Sequence, residues 1–240
     1  MREKKWALVT GGNRGIGLEV CRQLARMEIR VILTARDPEK GEAARAELRE
    51  EGLDVLFHPL DAAGPASIEE AAAFVEKEFG KLDILVNNAG IFLDRGRPGI
   101  ELDIATFRQT MEVNLYGPFL LCQRFLPLIR KNGYGRIVNI SSGTAALEGF
   151  KGDNRMRGTN AAYRISKTCL NALTRILADE TKGENILVNA ASPGRVRTAM
   201  TNFEGEKSVK EGTDTVIFLA TLPDGGPTGG FFRDRKPHNW

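Results

Sequence analysis

A chain of 240 residues is long enough for one large domain or two small ones, and it can bury a substantial core without disulfides or metals. Its formal net charge of +3 gives little support for nucleic-acid binding, and no apolar run approaches the ~18 residues that a membrane helix needs. Cys21, Cys122 and Cys169 are unclustered and only His58 and His238 are histidines, so reduced packed thiols are expected, with neither a zinc site nor a Ser-His-Asp set. The opening residues carry no secretory pattern, and the expected location is the cytoplasm.

In chain order, strand-like runs alternate with amphipathic stretches. A strand at Lys5–Thr10 leads through a glycine-rich turn into a helix at Ile16–Met27. A second strand, Arg30–Ala35, precedes Asp37-Pro38, a helix cap followed by proline at the first helical position; that helix runs to about Glu51 and stops at Gly52. The strand Asp54–Pro59 places His58 near a sheet edge. Ser67-Ile-Glu-Glu70 matches a capping box for a helix that stops at Gly80. Beyond the apolar strand Ile84–Asn87 come helices at Ile104–Asn114 and Gly117–Lys131, then the strand Arg136–Ile140. A polar stretch over 143–159 precedes the helix Ala161–Thr181 and the strand Ile186–Ala191. A second long loop, 194–207, leads to the capping box Ser208-Val-Lys-Glu211, and a weaker strand at Gly230–Arg233 closes the pattern. The short basic stretch Arg233–Lys236 reads as a solvated tail. Repeated βα units of this kind predict an α/β fold, a doubly wound, mostly parallel seven-stranded sheet with helices on both faces, forming a single domain over 1–240. Both long loops leave the carboxyl ends of strands, where open sheets of this class bind ligands.

Tyr163 and Lys167 stand four residues apart on one predicted helix, so phenol and ammonium share a face. Ser142 lies upstream at the end of a strand. After the first strand, Gly11-Gly12-Asn13-Arg14-Gly15-Ile16-Gly17 spaces its key glycines as Gly-x-x-x-Gly-x-Gly, not the Gly-x-Gly-x-x-Gly of the general Rossmann fingerprint. The physical role is similar, since no Cβ obstructs a pyrophosphate and the next helix aims its N-terminus at negative charge. By itself this is equally a turn that needs glycine conformations. A phosphate cradle and a phenol beside an ammonium in one chain suggest hydride transfer with a nicotinamide cofactor.

Thr10-Gly-x-x-x-Gly-x-Gly17, Asn87-Asn88-Ala89-Gly90, Asn114, Ser142, Tyr163-x-x-x-Lys167 and Pro193-Gly194 occur in order over nearly the whole chain. Together they resemble the short-chain dehydrogenase/reductase family of single-domain, Rossmann-type NAD(P)(H) oxidoreductases. Within it the chain resembles the carbonyl reductase group, through Leu33–Asp37, Phe57–Asp61, Ser192–Thr198 and the ending Phe231–Trp240. The resemblance implies a catalytic set of Asn114, Ser142, Tyr163 and Lys167. Tyr163 would deliver the proton, Ser142 would hold the carbonyl oxygen, Lys167 would hold the ribose and lower the tyrosine from its usual value near ~10, and Asn114 would hold a water on Lys167. It also implies cofactor contacts from Gly11, Asn13, Arg14, Gly15, Ile16 and Gly17, from Asp61 and Ala62 at the adenine, and from Asn88, Ala89 and Gly90, with Asn87 lining the same side. Pro193, Gly194, Val196 and Thr198 would hold the carboxamide end.

Arg36, after Ala35 where NAD-preferring relatives carry an acid, suits a 2′-phosphate, with Arg14 as a second cation. Asp37 is a possible NAD-type acid, read here as the helix cap. NADP(H) is therefore the expected cofactor and NAD(H) the second choice. Ser142 and Tyr163 are 21 positions apart, longer than is common in the family, and the added residues, with Lys151, Asp153, Arg155 and Arg157, are expected to form a polar flap at the substrate pocket. The expected function is NADPH-dependent reduction of a small-molecule ketone, aldehyde or quinone, without nucleic-acid or membrane partners and as either monomer or homo-oligomer. The alternatives are an NAD-dependent alcohol or sugar dehydrogenase of the same fold and a non-catalytic cofactor-binding regulator.

Overall fold

The computed structural model describes residues 4–146 and 158–240. Each predicted parallel strand forms, and the central ones are mostly apolar on both faces, as strands covered on two sides require. The elements run β1 (Trp6–Val9), α1 (Gly15–Arg26), β2 (Arg30–Ala35), α2 (Pro38–Glu50), β3 (Val55–Pro59), α3 (Pro65–Phe79), β4 (Ile84–Asn87), α4 (Ile104–Met111), α5 (Gly117–Arg130), β5 (Gly135–Ile140), α6 (Ala161–Glu180), β6 (Ile186–Ser192), α7 (Val209–Ala220), β7 (Phe231–Arg233) and β8 (Lys236–Pro237). They build one sheet in the order β3-β2-β1-β4-β5-β6-β7-β8, parallel except for β8.

Alternate strand residues feed two cores. Leu8, Ile32, Leu85, Ile137 and Val188 point towards α3, α5 and α6, with Val75, Phe125 and Leu177 among their partners. Val9, Leu33, Val86, Val138 and Ala191 point the other way, towards Leu24 of α1, Leu48 of α2 and Leu219 of α7. The strand order reverses between β1 and β4, and in open sheets of this class such a reversal places the ligand crevice at the carboxyl ends of the strands. His58 lies on the edge strand β3, as expected, and Cys21 and Cys122 are buried free thiols. Among the described residues no helix is long and apolar enough to cross a membrane.

Four local expectations are corrected. The sheet has an eighth strand, because Asp234 and Arg235 take positive φ of 53° and 59° and turn the chain back as an antiparallel hairpin. The supposed tail is thus pinned: Asp234 pairs with Lys207, and Arg235 with Asp214. Ser67 does not cap α3, which starts two residues earlier at Pro65; its hydroxyl instead accepts from the Asp61 N–H at 3.0 Å. Asn114 and Gly117 do not separate two helices by a loop, since one π-helical turn, Glu112–Tyr116, joins α4 directly to α5. Asp37 does cap α2, and Ser208 with Glu211 forms the expected capping box on α7.

The end of the sheet remote from the crevice is held by Arg136, fully buried at the start of β5. Its guanidinium donates to the carbonyls of Leu222 (2.8 Å), Gly135 (2.8 Å) and Asn185 (3.2 Å), and pairs with Asp224 at 2.9 Å. Replacing it leaves buried acceptors without donors. Arg136→Ala is expected to lower the unfolding free energy by about 3 kcal/mol, read by urea denaturation; a loss below about 1 kcal/mol, the worth of an exposed pair, would contradict this account.

Candidate active site

The chain leaves β1 through a turn that only glycine accommodates. Gly11 and Gly15 take φ of +61° and +55°. A Cβ on Gly17 would stand 2.3 Å from the Gly11 carbonyl oxygen, so helix and turn touch backbone to backbone. The turn is braced from beyond β4. Asn88 Nδ2 donates to the carbonyls of Thr10 at 2.7 Å and Gly11 at 3.0 Å, while Thr10 Oγ1 accepts from the N–H groups of Asn88 and Ala89, both at 2.9 Å. α1 then begins with no side-chain cap and no acidic residue in its first turn. Its leading N–H groups and the positive end of its dipole are available to an anion. Asn13 and Ile16 are half-buried in the turn, and Arg14 is exposed.

Along the same edge, Arg36 follows β2, exposed and in no ion pair among the described residues. Asp37 is engaged as the cap of α2: its carboxylate accepts from the Lys40 N–H at 3.2 Å and meets the Lys40 ammonium at 2.7 Å. The Lys40 side chain and N–H hold that carboxyl below its usual range. After β3, exposed Asp61 accepts from the Ala63 N–H at 3.0 Å and buried Ala62 follows. The Ala62 carbonyl packs so closely on the start of α5 that a Cβ on Gly117 would lie 2.1 Å from it. Asn87, expected to line the adenosine side and to brace the central strand, does the second. It lines no crevice but sits inside the core, donating to Asn139 Oδ1 at 2.8 Å, and Asn139 donates in turn to Thr174 of α6 at 2.9 Å.

Ser142, Tyr163 and Lys167 converge beside this turn. Ser142 follows β5, its Oγ 3.0 Å from Thr144 Oγ1 and close enough to the Tyr163 hydroxyl to favour the phenolate. Ser141, its rival in sequence, is turned away and donates to the Lys167 carbonyl at 3.4 Å. Lys167 is buried, its ammonium donating to the Ile140 carbonyl at 2.7 Å. Desolvation pulls its pKa down to about 8. Tyr163 is displaced the other way: burial raises its phenol, the Ser142 hydroxyl and the charge of Arg95 oppose the rise, and Asp94 adds to it. In the cofactor-free chain loss of water dominates the buried ring; the expected depression belongs to the complex in which the positive nicotinamide adds to Lys167. Gly90 lies between partners, since a Cβ there would stand 3.4 Å from Asn114 Oδ1 and 3.5 Å from Lys167 Nζ. The Asn114 side chain is committed, accepting from the Ile91 N–H at 2.8 Å and donating to the Ile91 carbonyl at 2.9 Å and to Ser166 Oγ at 3.1 Å.

The segment after β6 closes the far side. Pro193 and Val196 are buried, Gly194 takes φ of +80°, and a bridge between Val196 and Lys207 straps the 194–207 loop. Thr198 reaches back to the glycine turn, its Cγ2 3.5 Å from where a Gly15 Cβ would stand. The cluster of Lys151, Asp153, Arg155 and Arg157 lies outside the described residues.

Two supports were not legible in the sequence. Asp94, fully buried, caps α6 from 68 residues upstream by accepting from the N–H groups of Ala162 at 2.7 Å and Tyr163 at 3.4 Å. Phe92 stacks on the Tyr163 ring with centroids 4.2 Å apart. A local reading finds neither, because α6 opens behind Asn160 in a left-handed conformation whose Oδ1 accepts from the Gly96 N–H at 2.6 Å.

The family model described as short chain dehydrogenase matches residues 5–208. The chain is 37% identical to a (+)-neomenthol dehydrogenase of Arabidopsis thaliana, covering 97% of this chain and 96% of that protein. It is 36% identical to carbonyl reductase (NADPH) 1 of Homo sapiens, covering 98% of both. Among solved structures, an NADPH-bound carbonyl reductase from chicken fatty liver superposes with a TM-score of 0.87 at 28% identity, covering 99% of this chain and 100% of that one. Salutaridine reductase from Papaver somniferum gives 0.83 at 32% identity, covering 96% and 100%.

Lys167 ties stability to pH in the cofactor-free protein. Between its folded value of about 8 and the ordinary lysine value of 10.5, the unfolded chain holds a proton that the folded chain has lost, so stability rises with pH across that interval. The melting temperature of the wild type minus that of Lys167→Met is expected to increase from pH 8 to pH 10; a flat or falling difference would show that the ammonium is not desolvated.

Proposed function

The chain belongs to the short-chain dehydrogenase/reductase family, whose members are NAD(P)-dependent oxidoreductases, and we propose that it reduces a carbonyl compound to an alcohol with NADPH. The observation that carries this reading is the closeness of the Ser142 hydroxyl to the Tyr163 phenol, which it biases towards ionisation, one helical turn from a buried Lys167 and beside a helix N-terminus that no side chain seals.

The cofactor reading rests on fit. The glycine turn leaves backbone where side chains would obstruct a pyrophosphate, and the leading N–H groups of α1 are oriented to hold it. Arg14 and Arg36 would bind the 2′-phosphate, since the one nearby acid, Asp37, is already occupied by Lys40. Asp61 and Ala62 would face the adenine, and Ala89 and Gly90 the adenosine. Asn88 acts through the turn it braces. Pro193, Gly194, Val196 and Thr198 would bound the nicotinamide end. When bound, NADPH supplies the hydride that adds to the carbonyl carbon.

The remaining steps fall to the chain's own residues. Ser142 donates a hydrogen bond to the carbonyl oxygen and stabilises charge that develops there. Tyr163, a phenol that is protonated at neutral pH as an ordinary tyrosine is, delivers its proton to that oxygen. Lys167 holds the ribose hydroxyls and offsets negative charge left on the phenol. Asn114, with its side chain fully engaged, fixes the segment that Gly90 and Lys167 pack against. The relatives named above as NADPH carbonyl reductases support the same direction of reaction.

Tyr163→Phe is expected to lower kcat by at least about 100-fold while NADPH binding, followed by fluorescence, stays within threefold of wild type; retained turnover would overturn the assignment. The wild type should prefer NADPH over NADH, and Arg36→Asp should reverse or abolish that preference in kcat/KM. A wild type that favours NADH would transfer the role of Asp37 from cap to ribose ligand. Cofactor binding without turnover across a broad carbonyl panel would favour the regulator reading.

A further inference from the structure

Three polar side chains beyond the catalytic group meet at one point. A Cβ placed on Gly143, the residue after Ser142, would stand 3.6 Å from Arg233 Nη1, 3.6 Å from Ser192 Oγ and 3.7 Å from His238 Nε2. All three polar atoms therefore come to ordinary contact distance of one point beside Gly143, so a ligand atom packed against this glycine would have them as neighbours. Ser192 and Arg233 are register partners at the ends of β6 and β7, and Ser142 leaves the end of β5, so all of them sit on the crevice edge of the sheet. His238 is held by the hairpin: its N–H donates to the Phe231 carbonyl at 2.7 Å and its ring lies 5.1 Å from the Phe231 ring.

Ser192 Oγ is buried and has no hydrogen-bond partner among the described residues. A buried hydroxyl left so is unfavourable, and a ligand oxygen would satisfy it. The charge around it is positive. Asp234 is the acid that faces this cluster; it pairs with Lys207 and lies 3.7 Å from Arg233 Nε, while Arg235 is taken up by Asp214. Among the described residues two cations, Lys207 and Arg233, therefore face one carboxylate. A guanidinium edge with a hydroxyl and an imidazole beside it suits a carboxylate better than a neutral group.

We propose that Ser192, Arg233 and His238 form a subsite for a carboxylate on the substrate, so that this chain reduces best those carbonyl compounds that also carry an acid group. The inference rests on the carbonyl-reductase reading above and specifies its substrate class. Consecutive Cα atoms lie about 3.8 Å apart, so a group seated at Gly143 is within reach of a small molecule whose carbonyl oxygen is on Ser142.

A matched pair tests it: 4-carboxybenzaldehyde and methyl 4-formylbenzoate differ in the charge of the remote group and by one ester methyl. The wild type with NADPH should favour the acid in kcat/KM by roughly 10- to 100-fold. Arg233→Gln and Ser192→Ala should bring the ratio towards one, and Arg233→Lys should keep part of it. Equal rates for acid and ester, or a ratio unchanged in Arg233→Gln, would overturn the subsite. Calorimetric titration of 4-(hydroxymethyl)benzoate into protein with NADP+ needs no turnover. Saturable binding that is lost in Arg233→Gln supports the subsite, and absence of binding to the wild type overturns it. If neither aldehyde is reduced, the reductase reading fails and the titration alone decides the subsite; if the ester is reduced and the acid gains nothing, the reductase reading stands and this inference falls.

Discussion

The buried bond from the Lys167 ammonium to the Ile140 carbonyl is the constraint from which the rest of the site follows. A charged group that has lost its water must find an acceptor, and the last carbonyl of β5 is the one within reach. That bond locks the inner face of α6 to the carboxyl end of the central sheet. Tyr163, one turn earlier, is thereby aimed at Ser142, the second residue past the same strand end. The cap from Asp94 and the stacking of Phe92 act on the same turn from the opposite side. The phenol is thus held by backbone and ring contacts before any ligand enters, the preorganisation that proton transfer in a confined site requires.

A polar chain within the core fixes the same helix from below. Asn87 on β4, Asn139 on β5 and Thr174 on α6 are linked in sequence by side-chain hydrogen bonds, with Asn87 Oδ1 left unpartnered, where apolar residues would slide. Such a network specifies one register between α6 and the strands. Apolar packing alone would tolerate small shifts of the helix, and a shift of one ångström at Tyr163 matters to catalysis far more than to stability.

How much of this was readable depended on sequence distance. The strands were legible because two-sided burial leaves unbroken apolar runs such as Ile84-Leu-Val86, and the helix starts at Asp37-Pro38 and Ser208 because caps act within four residues. The glycine turn, Ser142, Tyr163 and Lys167 were legible as a spaced set. Ser67 misled because a capping box has the same letters as a serine that serves a neighbouring loop. The hairpin at Asp234–Arg235 was missed because neither residue is glycine or asparagine, so nothing local announced positive φ. Asp94 and the brace of Asn88 on the glycine turn were out of reach for a different reason. Each joins segments tens of residues apart, and only the assembled sheet makes them neighbours.

The π-helical turn at Glu112–Tyr116 sets a phase. An α-helix advances about 100° per residue, so the one extra residue accommodated there rotates α5 against α4. α4 can then pack on α6 while α5 turns Leu121, Phe125 and Ile129 into the core beside α3. Excising a single residue from that turn would produce a smoother rod whose two halves demand incompatible orientations, and the mismatch would be paid at Asn114, midway along it. Sequence drift in this family member is therefore freer in letters than in length across this stretch: substitutions can be absorbed one at a time, whereas an insertion or deletion would swing an entire apolar stripe out of alignment.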